Sequence, residues 1–237
     1  MFEGNHLLPF VFTFLPVAVY TALVYLQTPK NSVSPRVGAL YFFMGVFSMV
    51  SVIAFLFVFP NWKEPKSEDL LVSRFFLAFF QIALIEELSK LLIFNFLTGF
   101  RHQSDNPAAM IFYAMCVSAG FAIAENILYM QMYGTNVLLV RAFTTLIVHM
   151  ISGVMMGYYL ALGKGPGNGM SELNALHGPA RKNTFALLAL LTATFYHGLY
   201  DFNIFVNEEG VSMYSIFGII LLGLGITWSM SRRFFGK

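Results

Sequence analysis

The chain has 237 residues and a formal net charge of only +2. Hydrophobic residues make up 57% of it and charged residues 11%, which is about half the charged fraction of a typical soluble domain. This composition excludes a water-soluble globular domain, because too few polar side chains remain to cover its surface. The single cysteine, Cys116, excludes an intrachain disulfide and a cysteine-based metal cluster.

Apolar stretches long enough to cross a bilayer recur along the chain. A transmembrane helix needs about 20 mainly apolar residues, and the stretches that reach this length run over 7–27, 37–60, 70–99, 107–133, 135–162, 183–205 and 211–231. No basic segment precedes the first stretch, so we expect a retained helix rather than a cleaved signal peptide. The sequence therefore predicts an all-α polytopic transmembrane bundle of about seven helices, forming a single domain over residues 1–237.

Basic residues favour one side of this predicted bundle. The even-numbered connections hold only Lys63 and Lys66, whereas the odd-numbered connections and the C-terminal segment hold Lys30, Arg36, Arg101, Lys164, Arg181, Lys182, Arg232, Arg233 and Lys237. Short cytoplasmic loops are enriched in Lys and Arg. We therefore expect the N-terminus outside and the C-terminus in the cytoplasm, which requires an odd number of spans.

Eight acidic, basic or histidine residues lie well inside the predicted spans, away from their polar ends. They are Glu86, Glu87, Lys90, Glu125, Arg141, His149, His197 and Asp201. A charged group at the bilayer centre costs on the order of 2.5–3.5 kcal/mol, so these side chains are expected to face the bundle interior and to find partners there. The simplest arrangement is a single buried cluster.

Helical spacing supports such a cluster. Lys90 follows Glu86 by four residues and Glu87 by three, so it can pair with either carboxylate. His197 and Asp201 are four residues apart and share one helix face. Gly153 and Gly157 follow His149 at the same spacing, a small-residue seam that lets a neighbouring helix approach closely. A rise of about 1.5 Å per residue places the cluster in the outer half of the membrane.

These residue types suit hydrolysis by activated water. Two adjacent carboxylates in a low-dielectric site cannot both ionise cheaply, so we expect one to be neutral while Lys90 keeps the other charged. A carboxylate in this setting can act as general base, and imidazoles can bind a metal or donate to a developing oxyanion. The predicted catalytic residues are Glu86, Glu87, Glu125, His149, His197 and Asp201, with Lys90, Asn126 and Arg141 in support.

The order of these residues resembles a known family. The segments Glu86-Glu87-Leu-Ser-Lys90, Phe121-Ala-Ile-Ala-Glu125-Asn126, His149 and His197-Gly-Leu-Tyr-Asp201 are similar to the motif series of the PrsW family, membrane proteases related to CAAX-prenyl endopeptidases and Abi proteins. The resemblance covers about residues 70–205. It implies an endopeptidase of the prokaryotic inner membrane that cuts a membrane-anchored protein, such as an anti-sigma factor, on its extracytoplasmic side.

The resemblance leaves the use of a metal open. PrsW relatives are classed as metalloproteases, whereas the prenyl-endopeptidase relatives use glutamate-activated water without a metal. Those relatives also carry EExxxR and a histidine in the second motif, where this chain has Lys90 and Glu125. Glu125, His149 and His197 would form a chemically ordinary zinc site. The expected partners are the lipid bilayer and a protein substrate, with no nucleic acid.

Two other functions use the same residues. A proton- or cation-coupled transporter also needs buried Glu, His and Lys side chains, although the sequence shows no inverted repeat or paired broken helices. A non-catalytic member of the wider superfamily, acting as a scaffold or immunity protein, is the third possibility. The full acidic and imidazole complement of this chain argues against it.

Overall fold

The structure is a computed structural model that describes residues 7–63, 67–100, 106–164, 178–206 and 213–235. Throughout these ranges the regular structure is helical. The α-helices are α1 (Leu7–Gln27), α2 (Pro35–Val58), α3 (Leu70–Phe76), α4 (Leu84–Phe100), α5 (Pro107–Tyr133), α6 (Asn136–Phe143), α7 (Thr145–Lys164), α8 (Gly178–Val206) and α9 (Met213–Phe235). A 3₁₀ turn, Pro60–Lys63, follows α2, and a π-helical segment, Leu77–Ala83, joins α3 to α4.

In the described part of the chain these segments form seven rods. The helices α3 and α4 and the π segment make one rod over 70–100, and α6 and α7 make another over Asn136–Lys164. Five rods are long and apolar enough to cross a membrane: Pro35–Val58, Pro107–Tyr133, Asn136–Lys164, Gly178–Val206 and Met213–Phe235. This confirms the predicted all-α polytopic bundle. The loop residues Lys66, Arg101 and Lys237 lie outside the described ranges.

Helix α5 is the central rod. Nearly all its side chains from Ala108 to Asn126 are buried, and it packs between α2 and α7. Small residues allow this close packing. A Cβ atom on Gly120 would collide with the carbonyl oxygen of Phe42 in α2, and one on Gly157 would lie 2.6 Å from Cα of Ile111 in α5. The predicted seam after His149 is therefore confirmed at the α5–α7 contact.

The outer helices turn large apolar side chains away from the bundle. Phe43 and Phe57 on α2, and Leu221 and Trp228 on α9, are all exposed. In water such extended apolar faces would favour aggregation. Within a bilayer they contact acyl chains, so the distribution of exposed residues agrees with a multi-pass membrane protein.

The predicted fifth helix is divided in the structure. Thr144 has φ −123° and ψ −81°, outside the helical region, and separates α6 from α7. Its hydroxyl donates to the carbonyl oxygen of Val140 at 2.8 Å. The connection before α6 is short, because only Gly134 and Thr135 separate it from α5. Gly134 has φ +85°, which glycine adopts without steric cost.

Candidate active site

Glu87 is the central acceptor of the buried polar cluster. Its side chain is fully buried, and Oε1 accepts hydrogen bonds from Lys90 Nζ at 2.8 Å and Ser152 Oγ at 3.1 Å. The same oxygen lies 2.9 Å from His197 Nδ1. Because a carboxylate only accepts, Nδ1 carries the hydrogen of this imidazole. One oxygen atom thus holds α4, α7 and α8 together.

His149 continues the network across the bundle. Lys90 Nζ lies 2.9 Å from His149 Nδ1, and His149 Nε2 lies 2.9 Å from Glu125 Oε2. An ammonium group only donates, so Nδ1 accepts from Lys90 and the Nε2 hydrogen is directed at Glu125. Glu125 Oε2 also pairs with Arg141 Nη2 at 2.7 Å. Carboxylates and cations therefore alternate along this series of hydrogen bonds, which lowers the free-energy cost of burying them.

Arg141 is held on three sides. In addition to Glu125, its Nε donates to Asn126 Oδ1 at 2.9 Å, and its guanidinium group stacks 3.7 Å above the ring of Tyr129. This geometry fixes the short helix α6 against the end of α5. Arg141 therefore points into the cluster and pairs with a carboxylate.

On one side of the cluster, buried acceptor atoms have no hydrogen-bond partner in the described part of the chain. Glu86 Oε2 and Asp201 Oδ2 are buried and make no hydrogen bond within the described residues. His197 Nε2 lies 4.0 Å from the Glu86 oxygen and 3.3 Å from the Asp201 oxygen. With the hydrogen on Nδ1, a neutral His197 ring turns the Nε2 lone pair toward both oxygens. This set of acceptor atoms suits a bound water, a shared proton or a divalent cation.

A metal-binding geometry is present at the same place. One ligand atom from each of Glu86, His149 and His197 lies within 4.8 Å of the other two. The sequence-based set contained Glu125 in place of Glu86, but Glu125 Oε2 is engaged by both His149 and Arg141. The unpaired Glu86 oxygen makes Glu86 the better placed carboxylate. Imidazole nitrogen and carboxylate oxygen are the usual ligands of zinc, so these residue types fit a zinc ion. To bind it, His149 would give up one of its two hydrogen bonds, to Lys90 or to Glu125.

The structure brings together all nine residues that the sequence singled out. Spacing allowed Lys90 to pair with either Glu86 or Glu87. In the structure Lys90 pairs with Glu87, and Glu86 Oε2 has no hydrogen-bond partner among the described residues. Sequence reasoning missed Ser152, although its position three residues after His149 places it near the same helix face. It also missed Tyr200, whose hydroxyl lies 2.8 Å from Thr145 Oγ1, beside the division between α6 and α7.

The π-helical segment lies directly before the two glutamates. Its wider turns interrupt the α-helical register, and such segments are frequent at functional sites. Phe79 in this segment packs against Gly198, where an added Cβ would lie 2.6 Å from the ring. Gly198 is adjacent to His197, so the contact between Phe79 and Gly198 links the position of the π segment to that of the imidazole.

Comparison with known proteins identifies the family. A family model described as PrsW family intramembrane metalloprotease matches residues 34–226. The chain belongs to this family. The PrsW assignment confirms the resemblance and the predicted class of enzyme, a membrane protease, and it does not favour the transporter alternative.

Several curated PrsW relatives support the assignment. The protein named Protease PrsW of Oceanobacillus iheyensis is 37% identical over 130 residues, which are 55% of each chain. Those of Shouchella clausii and Bacillus subtilis are 26% and 29% identical, over 92% and 81% of this chain and 93% and 80% of their own. No solved structure matches the chain.

Proposed function

We propose that this chain is an intramembrane endopeptidase that hydrolyses a membrane-anchored protein with water activated at Glu86. The observation that carries the proposal is the unpaired Glu86 Oε2, which lies 4.0 Å from His197 Nε2. Hydrogen bonds join the neighbouring residues Glu87, Lys90, His149 and Glu125 in series. The family supplies the reaction class. The described residues supply the positions of the reacting groups.

In the proposed reaction, Glu86 accepts a proton from a water bound between its Oε2 and His197 Nε2. The hydroxide oxygen attacks the carbonyl carbon of the scissile peptide bond. The C–N bond then breaks, and the proton held by Glu86 passes to the leaving amine nitrogen. The products are a new carboxyl group and a new amine, so no further reactant is needed.

The remaining cluster residues fix the reacting groups. Glu87 orients the His197 ring through Nδ1, and Lys90 holds Glu87 in place. Glu125 and Arg141 do the same for His149. Orientation of this kind lowers the barrier because the groups need not reorganise during the reaction.

A zinc ion fits the same pocket. Held by Glu86, His149 and His197, it would favour ionisation of a bound water and polarise the scissile carbonyl group. When Glu86 serves as a ligand, Asp201 would accept the proton, because its unpaired Oδ2 lies 3.3 Å from His197 Nε2.

The proposed substrate is a single-span protein, such as an anti-sigma factor, cut near the outer surface of a prokaryotic cell membrane. Glu125 precedes the end of α5 at Tyr133 by eight residues, and His197 precedes the end of α8 at Val206 by nine. These separations correspond to depths of about 12 and 14 Å. With the orientation predicted from basic residues, both ends lie outside, which supports cleavage in the outer half of the bilayer.

Cleavage of a co-expressed, epitope-tagged anti-sigma factor tests the proposal. We expect Glu86→Gln, Glu87→Gln, Glu125→Gln and His197→Gln each to reduce cleavage at least about 100-fold, the scale of a lost general base. The matched control is Glu68→Gln, which alters an exposed residue before α3 and should cleave normally. Membrane levels of every variant are measured by immunoblot. Wild-type cleavage by all four site variants would refute the assignment.

Elemental analysis of the purified protein tests the zinc site. We expect about one zinc per wild-type chain and much less in Glu86→Gln and His149→Gln, with the zinc content of Glu68→Gln unchanged. A chelator should abolish cleavage and added zinc should restore it. Full activity in metal-free protein would instead assign water activation to Glu86 alone.

A further inference from the structure

A second pocket lies far from the glutamates, at the opposite end of the bundle. It has a volume of about 310 Å³ and lies between the C-terminal ends of α4 and α7 and the N-terminal parts of α5 and α8. Thr98 follows Glu86 by 12 residues on the same helix, a separation of about 18 Å. Lys182 precedes His197 by 15 residues on α8, which gives about 22 Å. The pocket is therefore separate from the active site.

The lining of this pocket is cationic. Lys164 and Lys182 both contribute to it, beside the amides of Asn95 and Asn183, and its described lining residues include no carboxylate. Both lysines are exposed, so their ammonium groups can reach a ligand at the pocket mouth. Amide and ammonium groups are the hydrogen-bond donors that an anion requires.

Helix geometry explains the position of one lysine but not of the other. Lys164 lies in the last turn of α7, where the helix dipole favours a cation. Lys182 lies near the start of α8, where the dipole disfavours one. The adjacent Arg181 adds a further positive charge and donates to the carbonyl oxygen of Leu162 at 2.8 Å. Arg181 and Lys182 therefore place positive charge near the start of α8, and a bound anion would complement it.

We propose that this pocket binds the phosphate group of an anionic phospholipid. The pocket is at the end of the bundle that the basic residues place at the cytoplasmic surface, where anionic headgroups concentrate. Met110, Leu160 and Ala186 provide an apolar wall beside the lysines, which suits the glycerol and upper acyl region of a lipid better than a free ion. A zwitterionic lipid binds less well because its own ammonium group opposes the lysines.

Thermal unfolding of the full chain in neutral detergent micelles tests this site. We expect added phosphatidylglycerol to raise Tm in a concentration-dependent manner, and phosphatidylcholine to have little effect. The double variant Lys164→Gln/Lys182→Gln should bind phosphatidylglycerol about 30-fold more weakly, from roughly 1 kcal/mol per lysine near an anionic surface. Cleavage in detergent should not change, because neither lysine belongs to the active site.

The control variant is Lys30→Gln/Arg36→Gln. It removes two exposed charges from the same predicted face but outside the pocket, and it should keep the wild-type shift. Retention of the shift in Lys164→Gln/Lys182→Gln, or equal loss in both double variants, would overturn the proposal. A third arm uses inorganic phosphate in place of lipid. If phosphate alone reproduces the pocket-dependent shift, the phospholipid is wrong as the occupant.

Discussion

Glu86 and Glu87 are neighbours in sequence with opposite surroundings. Glu87 Oε1 accepts from a lysine and a serine and orients an imidazole, whereas Glu86 Oε2 has no hydrogen-bond partner among the described residues. Among these residues Glu87 Oε2 is unpaired too, so the difference lies in the three partners on Glu87 Oε1. Those partners hold Glu87 in the structure, and Glu86 is the more available to react. The two residues should therefore contribute unequally to stability, although we propose that both are required for cleavage.

This difference predicts distinct effects of the same substitution. Glu87→Gln removes the charge that compensates fully buried Lys90, and breaking a buried ion pair costs about 3–5 kcal/mol in soluble proteins. We expect a clear fall in Tm for Glu87→Gln. When both proteins are compared free of metal, Glu86→Gln should leave Tm unchanged or raised, since it removes an uncompensated carboxylate. Thermal unfolding of both proteins in detergent measures the contrast, and equal Tm values would contradict it.

At the scale of elements, glycine determines how closely the helices pack. Gly45 and Gly120 lie at the crossing of α2 and α5, and an added Cβ on either would meet a backbone carbonyl oxygen of the other helix. Backbone cannot move aside as a flexible side chain can. The separation of these two rods therefore depends on the absence of two methyl groups.

Gly120→Ala tests this contact. We expect destabilisation of about 1–3 kcal/mol, the usual cost of overpacking, together with reduced cleavage because α5 also carries Glu125. The matched control is Gly225→Ala on α9, where an added Cβ meets no atom within 4 Å. Alanine should be neutral or slightly stabilising there, because it favours helix. The measurement is Tm in detergent, and equal effects of the two substitutions would refute the packing explanation.

The sequence predicts an element well when the interactions that form it are local in the chain, and poorly when they join distant residues. Apolar length alone predicted each rod to within a few residues, except that α8 begins at Gly178 rather than near residue 183. The division at Thr144 was not predictable, because the apolar stretch continues across it, from Phe143 before it to Leu146 after Thr145. It coincides with contacts to Tyr200, 56 residues later in the chain.

The same reasoning applies to the site. Short-range spacing restricted Lys90 to two carboxylates and placed His197 beside Asp201, but it could not distinguish Glu86 from Glu87. That distinction comes from His197 and Ser152, which are 110 and 65 residues away from Glu87. Sequence spacing also could not show that Arg141 pairs with Glu125, because Arg141 could have faced lipid headgroups instead. The sequence-based prediction therefore kept Glu125 as a zinc ligand.

At the scale of the whole molecule, the orientation in the membrane stays a prediction. In a Cys116→Ala background, we expect Asn136→Cys, at the start of α6, to react with a membrane-impermeant maleimide added to intact cells. Ser32→Cys, between α1 and α2, should react only after the cells are lysed. The reverse pattern would place the active site in the inner half of the bilayer.

The placement of Glu87 and Lys90 on a single helix also bears on biogenesis. Because they are three residues apart, the nascent segment can leave the translocon with one acid already neutralised by its own neighbour. The imidazole that completes this acid's surroundings is synthesised 110 residues later. Insertion into the lipid phase thus precedes maturation of the proteolytic centre, and a ribosome that stalls in between leaves an integrated but inert precursor.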